Sequence, residues 1–279
     1  MTCDFCGGTD LEKINRLPVV RCRCGIAYNT QDFRPDPRLA SKSYFDMLEG
    51  ARAQSEVFFE GWVDKIAEFL PPRQGQVLDV GFGYGIFLEE MAAKEYAPWG
   101  VEISEASCQS LQQRLPAART FVGSLTEPGI CERLKGQRFE LISFWDCLQY
   151  MPDAAQQLRV ADSLLVDSGL LVVQVPNRGV NNLKYAQAVS KLYPDLGRFF
   201  LHLPAAKILF DPQALEKWLL SLGGGYRILV QSPSVNKLRF SIRLRSVSAA
   251  VEDLLLMIWT FIAKRKGEAV PSIFLLRKQ

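Results

Sequence analysis

The stretch Val77-Leu78-Asp79-Val80-Gly81-Phe82-Gly83-Tyr84-Gly85-Ile86-Phe87-Leu88 constrains this chain more than any other. A short apolar run carrying an acid leads into a loop with glycine at every second position, and an amphipathic run follows. That order predicts strand, tight turn and helix. The glycines let a ligand approach bare backbone. The helix start behind them presents unpaired N–H groups and the positive end of a dipole. A second apolar run, Trp99-Gly100-Val101, ends in Glu102. In a doubly wound sheet, an acid at the tip of the next strand lies where a ribose would lie.

The pattern continues in both directions from this unit. Strands are predicted at 77–80, 98–101, 120–122, 139–144, 170–175, 226–231 and 272–277. Helices are predicted at 86–94, 105–114, 154–166 and 213–222, the last capped by Asp211-Pro212. Alternation of this kind predicts an α/β fold with a doubly wound, mostly parallel, seven-stranded sheet covered by helices on both faces. Ligands then bind outside the carboxyl ends of the strands. Three regions follow: a Cys-rich segment over 1–38, N-terminal helices over 39–72, and a sheet domain over 73–279. The sheet domain has insertions at about 178–210 and 234–270. Tyr44 and Phe45 are placed to cover a ligand from the N-terminal side.

Four of the seven cysteines fall in the first 24 residues, as Cys3-x-x-Cys6 and Cys22-x-Cys24. Two thiol pairs on small knuckles suit a structural zinc ion. The departure is the second pair, C-x-C rather than C-x-x-C, which crowds its knuckle; four free or buried thiols are the other reading. Cys108, Cys131 and Cys147 read as small core residues. The one histidine, His202, excludes His-rich metal sites. An apolar content of 48% and a charged content of 23% are those of a soluble globular chain. No basic and apolar leader opens the sequence. The longest uncharged apolar run, 254–263, is too short to span a bilayer. A cytoplasmic protein with reduced cysteines is therefore expected.

The glycine loop does not fit a dinucleotide site, because Ile86 stands at the third-glycine place of G-x-G-x-x-G. Asp79 would also repel a pyrophosphate, whereas it suits a ligand carrying an amine and a sulfonium. The run from Asp79 to Gly85 resembles the first motif of class I S-adenosylmethionine-dependent methyltransferases. Phe139 to Asp153, with its apolar strand, Trp-Asp-x-Leu segment and Pro-Asp helix start, resembles that family's fourth-strand motif. With its Cys-rich head, the chain is similar to the zinc-ribbon-headed subgroup acting on sugars and natural products. The resemblance implies S-adenosylmethionine as cofactor, held at Asp79, Gly81, Phe82 and Gly83 of the loop. It implies Glu102 on both ribose hydroxyls, with Ile103 beside it. Ser124 and Leu125 would hold the cofactor at the third strand tip, and Trp145 and Gln149 at the fourth. It further implies a structural zinc on Cys3, Cys6, Cys22 and Cys24. The family's usual adenine-binding acid is replaced by Ser124-Leu125, and its Glu-His pair by Gln149-Tyr150.

Methyl transfer from a sulfonium is an in-line displacement, so positioning dominates, and a hydroxyl acceptor must also lose its proton. His202 has the right intrinsic pKa for that step, although it could equally satisfy a backbone carbonyl. Tyr150 could accept or relay the proton, or wall the pocket. Asp146 could meet the methionine ammonium, or cap its loop. The expected activity is methylation of a small molecule, a hydroxyl-bearing sugar or secondary metabolite. RNA methylation and a non-catalytic cofactor-binding scaffold are the alternatives. From 235 to 279 there are nine Lys/Arg against three Asp/Glu. This basic tail reads as a capping helix, an interfacial helix reaching a lipid-linked acceptor, or a surface for a carrier or RNA. Its aromatics are not interleaved with the cations, which argues against nucleic acid.

Overall fold

The computed structural model describes residues 1–31, 52–71, 75–176, 206–232 and 272–279, together with Asp46, Gly50, Ala186, Ser190 and Lys191. His202, Tyr44, Phe45 and the 254–266 segment lie outside the described residues. In chain order the strands are β1 (Leu11–Ile14), β2 (Val19–Cys22), β3 (Ala27–Asn29), β4 (Gln76–Val80), β5 (Ala97–Glu102) and β6 (Arg119–Val122). They continue with β7 (Phe139–Trp145), β8 (Leu165–Gln174), β9 (Ile208–Leu209), β10 (Tyr226–Ser232) and β11 (Ile273–Lys278). The helices are α1 (Arg52–Ala67), α2 (Ile86–Ala93), α3 (Glu105–Arg114), α4 (Pro128–Leu134), α5 (Ala154–Leu164) and α6 (Pro212–Leu220), with a short 3₁₀ turn at Leu148–Tyr150.

The main sheet has seven strands in the order β10-β11-β8-β7-β4-β5-β6. Strands β5, β6, β7 and β8 run parallel to β4, and β11 is inserted antiparallel between β8 and β10. The chain moves outward from β4 to β5 and β6, then returns to the other side of β4 for β7 and β8. The reversal puts a crevice above the carboxyl ends of β4 and β7. Near-continuous apolar runs form these strands because helices bury both faces; Leu78, Leu141, Ile142, Phe144, Leu171 and Val172 are all fully buried. Helix α5 ends two residues earlier than its periodicity suggests, because Leu165 already pairs with Phe139 as the first residue of β8. Among the described residues no helix is long and apolar enough to cross a membrane.

A second, small sheet has the order β1-β2-β3-β9. Its first three strands come from the Cys-rich head. The fourth comes from the chain after β8, with Ala27 opposite Leu209 and Tyr28 opposite Ile208. Contacts beyond the strands reinforce this join. Asn29 Nδ2 donates to the Ala206 carbonyl at 3.1 Å, and the Phe5 ring meets Phe210 and Trp218 edge-on. The indole N–H of Trp218 donates to the Phe5 carbonyl at 2.6 Å. The strands of this small sheet were not read from the sequence, and β9, two residues long, is specified by its partner.

Helix α1 covers the site side of the main sheet with an aromatic cluster. Phe58, Phe59 and Trp62 surround the Trp145 ring, which also meets Phe87 of α2, at centroid separations of 5.3–5.9 Å. Tilted and edge-on rings at this spacing add to their area burial. Trp62 is buried whereas Val57, on the same helix, is exposed. Trp62→Ala is therefore expected to lower unfolding stability by about 3–5 kcal/mol, while Val57→Ala stays within about 0.5 kcal/mol of the parent. Urea denaturation of the two variants checks this.

Candidate active site

The glycine loop after β4 is built by positive backbone angles and short bonds. Gly81, Gly83 and Gly85 have φ of 73°, 59° and 86°. Gly81 N donates to the Val101 carbonyl at 2.8 Å, which ties the loop to β5. A Cβ at Gly81 would stand 2.8 Å from Cys147 Cβ, so that position accepts no side chain without displacing the neighbouring loop. Gly85 closes the turn as the residue before α2. Cys147 Sγ lies 3.1 Å from the Val80 carbonyl. Burial, with Asp79 beside it, pushes that thiol well above its ordinary range. Cys147 is part of the loop's floor.

Two carboxylates organise the crevice. Glu102, at the tip of β5, is buried. Its Oε2 accepts from Gly83 N at 2.9 Å and its Oε1 from Ser104 N at 3.0 Å. Burial raises its pKa, and the amides of Gly83, Ser104 and Ile103 oppose that rise. A carboxylate whose oxygens are each oriented by an amide keeps further lone pairs for a vicinal diol. Beside it Ile103 is 47% exposed, a large apolar side chain at the crevice.

Asp79 is only 1% exposed. Its Oδ1 accepts from Ser143 Oγ at 2.7 Å, across the reversal point between β4 and β7. Burial raises its pKa from 3.8 to about 7; Ser143 opposes the rise and the Glu102 charge adds to it. Asp79 thus lies beneath the loop and braces it.

Three side chains expected at the cofactor are packed in the core. Phe82 lies over β5, where a Cβ at Gly100 would come within 2.5 Å of its ring. Leu125 is fully buried. Trp145 sits inside the α1 aromatic cluster, and its buried Nε1 has no hydrogen-bond partner among the described residues. Large apolar groups gain from this packing, which fixes where their backbone stands beside the crevice.

The fourth strand tip is strained. Asp146, a non-glycine residue, has φ of 52°, a conformation that Asp tolerates better than most. Asp146 N donates to the Gln174 carbonyl at 3.2 Å. Gln149 Nε2 holds the Asp146 carbonyl at 2.7 Å and Oδ1 at 3.1 Å. Gln149 Oε1 is buried without a hydrogen-bond partner among the described residues. Tyr150 ends the 3₁₀ turn, half-buried, with its amide on the Cys147 carbonyl.

Sequence reasoning missed the outer brace of the loop. The Tyr84 ring lies under two guanidinium groups, Arg114 at 3.9 Å and Arg52 at 5.4 Å from its centroid. Both cations bond Glu89 of α2, at 2.7 and 2.8 Å, and Arg114 also donates to the Tyr84 carbonyl. An aromatic inside a glycine loop followed by Glu in the next helix was the available signal, but the cations are far away in sequence.

The Cys-rich head brings its four thiols together. All four Sγ atoms lie within 4.8 Å of one another. Cys6 and Cys22 are 3.4 Å apart and Cys3 and Cys24 3.6 Å. These separations are too long for a disulfide and close to the about 3.8 Å between sulfurs on a tetrahedral zinc. The C-x-C knuckle reaches the set because Gly25 turns with φ of 104° and donates its amide to the Cys22 carbonyl. The donor set therefore fits a zinc ion.

Comparison with known proteins follows this geometry. Residues 53–228 match the family model described as "Methyltransferase domain", more than half of the chain. The chain belongs to that family. Among curated proteins it is similar to a ubiquinone biosynthesis O-methyltransferase of Pseudomonas aeruginosa, 26% identical over 145 residues, 45% of this chain and 62% of that protein. The counterpart from Pseudomonas fluorescens is 24% identical over 194 residues, 61% of this chain and 81% of that protein. The chain thus spans about three fifths of the length of the first of these. Two solved structures share the fold. One is an O-methyltransferase family protein from Burkholderia thailandensis, with a TM-score of 0.54, 14% identity, and coverage of 88% of this chain and 63% of that one. The other is a SAM-dependent methyltransferase from Archaeoglobus fulgidus, with a TM-score of 0.51, 16% identity, and coverage of 85% and 100%. The seven-stranded class I methyltransferase fold expected from the sequence is present.

The buried acid of the methyltransferase domain makes a pH-dependent contribution. A carboxyl whose folded pKa is raised retains its proton in the native state after the unfolded chain has lost it. Its contribution is full below pH 3.8 and is lost as pH rises toward about 7. The melting-temperature difference between the parent and Asp79→Asn is therefore expected to shift against the parent between those limits. A ligand-free thermal scan across pH reads this directly.

Proposed function

We propose that this methyltransferase moves a methyl group from S-adenosylmethionine to a hydroxyl of a small molecule, with a sugar or secondary metabolite as the acceptor class. The observation that carries the reading is Glu102, held by Gly83 N and Ser104 N between the glycine loop and the tip of β5. The O-methyltransferase relatives support oxygen as the acceptor atom. When bound, S-adenosylmethionine supplies a methyl group already activated by its sulfonium.

The chain's own residues position and shield. Glu102 takes the ribose hydroxyls. The backbone of Gly81 and Gly83 borders the methionine part, and the buried Asp79 lies beneath that end, bonded to Ser143. Ile103 gives the adenine an apolar face. Gln149 and Tyr150 stand at the fourth strand tip, where the acceptor approaches. Tyr150 takes or relays the acceptor's proton, and His202 is the other base in this proposal. Because the donor is activated, alignment of acceptor, methyl and sulfur accounts for most of the rate.

Cys3, Cys6, Cys22 and Cys24 hold a structural zinc in this reading. Burial pushes the Cys24 thiol above its ordinary range when no metal is present. Metal uptake therefore releases protons and orders a head too small to form a core of its own.

Two measurements test the proposal. Purified protein incubated with S-adenosylmethionine and a panel of sugars and phenols should yield a product heavier by one methyl group in mass spectrometry. Glu102→Ala should weaken S-adenosylhomocysteine binding by about 3 kcal/mol or more, since two charge-assisted hydrogen bonds are lost. Binding without any product would leave a cofactor-binding scaffold. Metal analysis should find one zinc per chain, and Cys22→Ser should lose it together with thermal stability.

A further inference from the structure

The Tyr28 hydroxyl meets the thiol cluster of the head. Tyr28 is the middle residue of β3 and is 3% exposed. It pairs with Val20 of β2 on one side and with Ile208 of β9 on the other. Its Oη lies 3.3 Å from Cys3 Sγ, and Asp4 N donates to the same oxygen at 3.1 Å. Cys3 is itself 1% exposed, and both residues share one core cluster with Phe5, Ile26 and Phe210.

Counting donors and acceptors gives the contact its direction. An amide N–H only donates, so the Asp4 bond occupies the oxygen of Tyr28 and leaves its proton to donate. Among the described residues, Cys3 Sγ is the acceptor within reach of that proton. A metal-bound cysteine is a thiolate with no proton of its own. In a loaded site the bond therefore runs one way, from phenol to sulfur. It is charge-assisted, and its apolar surroundings strengthen it. Four thiolates around one divalent ion leave the centre negative, and a buried negative centre needs donors. Gly8 N supplies one to Cys6 Sγ at 3.4 Å, on the exposed side of the set. Tyr28 supplies one on the buried side.

We infer that Tyr28 is a positioning residue of the metal centre, whose hydroxyl donates to the Cys3 thiolate and so retains a zinc ion more tightly than the four sulfurs alone. This rests on the reading that Cys3, Cys6, Cys22 and Cys24 hold zinc. The hydroxyl is placed by the main chain, since β2 and β9 fix Tyr28 from both sides. The donor is therefore in position before the ion arrives, and Cys3 is oriented from outside its own knuckle. Strand β9 lies within the methyltransferase domain, so that domain takes part in holding the metal.

Zinc competition against a chromogenic chelator, on the full chain, tests this with the parent and Tyr28→Phe. Phenylalanine keeps the ring and removes only the hydroxyl, and zinc should then bind about 10–100-fold more weakly. Cobalt loading gives a readout that packing does not move. A hydrogen bond stabilises the sulfur lone pairs, so its loss should shift the sulfur-to-cobalt charge-transfer band to longer wavelength. Trp218→Phe is the control, because it breaks the bond to the Phe5 carbonyl without touching a sulfur. In that variant the band should stay where it is in the parent. With zinc bound by the parent, an unchanged affinity in Tyr28→Phe overturns this inference alone. Weaker zinc with an unmoved band, or a band that Trp218→Phe moves equally, marks a merely structural role and overturns it too. A parent that takes up no metal overturns the four-thiol reading and this inference with it. Where Tyr28→Phe does not fold, NMR of the cadmium-loaded parent decides. Coupling between the Tyr28 hydroxyl proton and the metal through Cys3 Sγ is expected, and its absence overturns the inference.

Discussion

Two backbone amides converging on the Glu102 carboxylate are the constraint on which the rest of the site depends. Gly83 N comes from the loop after β4 and Ser104 N from the turn after β5. One side chain therefore sets the distance between the glycine loop and the neighbouring strand tip. Burying a carboxylate is costly unless it is hydrogen-bonded, and these amides offset that cost before any ligand arrives. Gly81 N on the Val101 carbonyl adds a backbone tie at the same junction. The loop is thus pre-shaped, and a ligand that uses the remaining lone pairs of Glu102 meets little reorganisation.

The loop is braced from two further sides. Below it, Asp79 and Ser143 bridge β4 and β7 at the reversal point. Outside it, Tyr84 is clasped by Arg52 and Arg114, and Glu89 holds both cations. Stacked guanidinium groups cover an aromatic face while keeping their hydrogen bonds in plane. Arg52 belongs to α1, so the N-terminal helix is fastened to the glycine loop by charge and to Trp145 by aromatic packing. A change in α1 would reach the site by both routes.

The strongest periodicities were legible in the sequence. The glycine loop, the acid at Glu102 and the seven strands of the main sheet follow from runs long enough to carry their own pattern. Phe82, Leu125 and Trp145 show where this reasoning stops. A motif names positions, but whether side chain or backbone faces the crevice depends on what packs behind it. The same holds for Asp153, Thr126 and Gln157. Each is an ordinary polar residue in the sequence, and only the approach of α5 to the β6 tip turns them into a hydrogen-bonded cluster. Helix α4 carried too few residues to register, and β9 exists through its pairing with β3.

That pairing changes the status of the Cys-rich head. A metal knuckle on a linker would be an appendage, free to move relative to the sheet. Here Asn29 N donates to the Lys207 carbonyl at 2.9 Å, and Lys207 N donates to the Gln149 carbonyl at 2.8 Å. Two backbone bonds therefore lead from the head's edge strand to the turn that carries Gln149 and Tyr150. A Cβ at Gly25 would stand 2.8 Å from Ala214 Cβ on α6, so the second knuckle docks at close contact. Phe5 between Phe210 and Trp218 fixes the first. The head is thus built into the same wall as the fourth strand tip. The order that a zinc ion would impose on four thiols would pass through β3 and β9 to the turn that carries Gln149 and Tyr150. Glu102 and its two amides are set within the main sheet, so the head is tied to the fourth strand tip and not to the junction of β4 and β5.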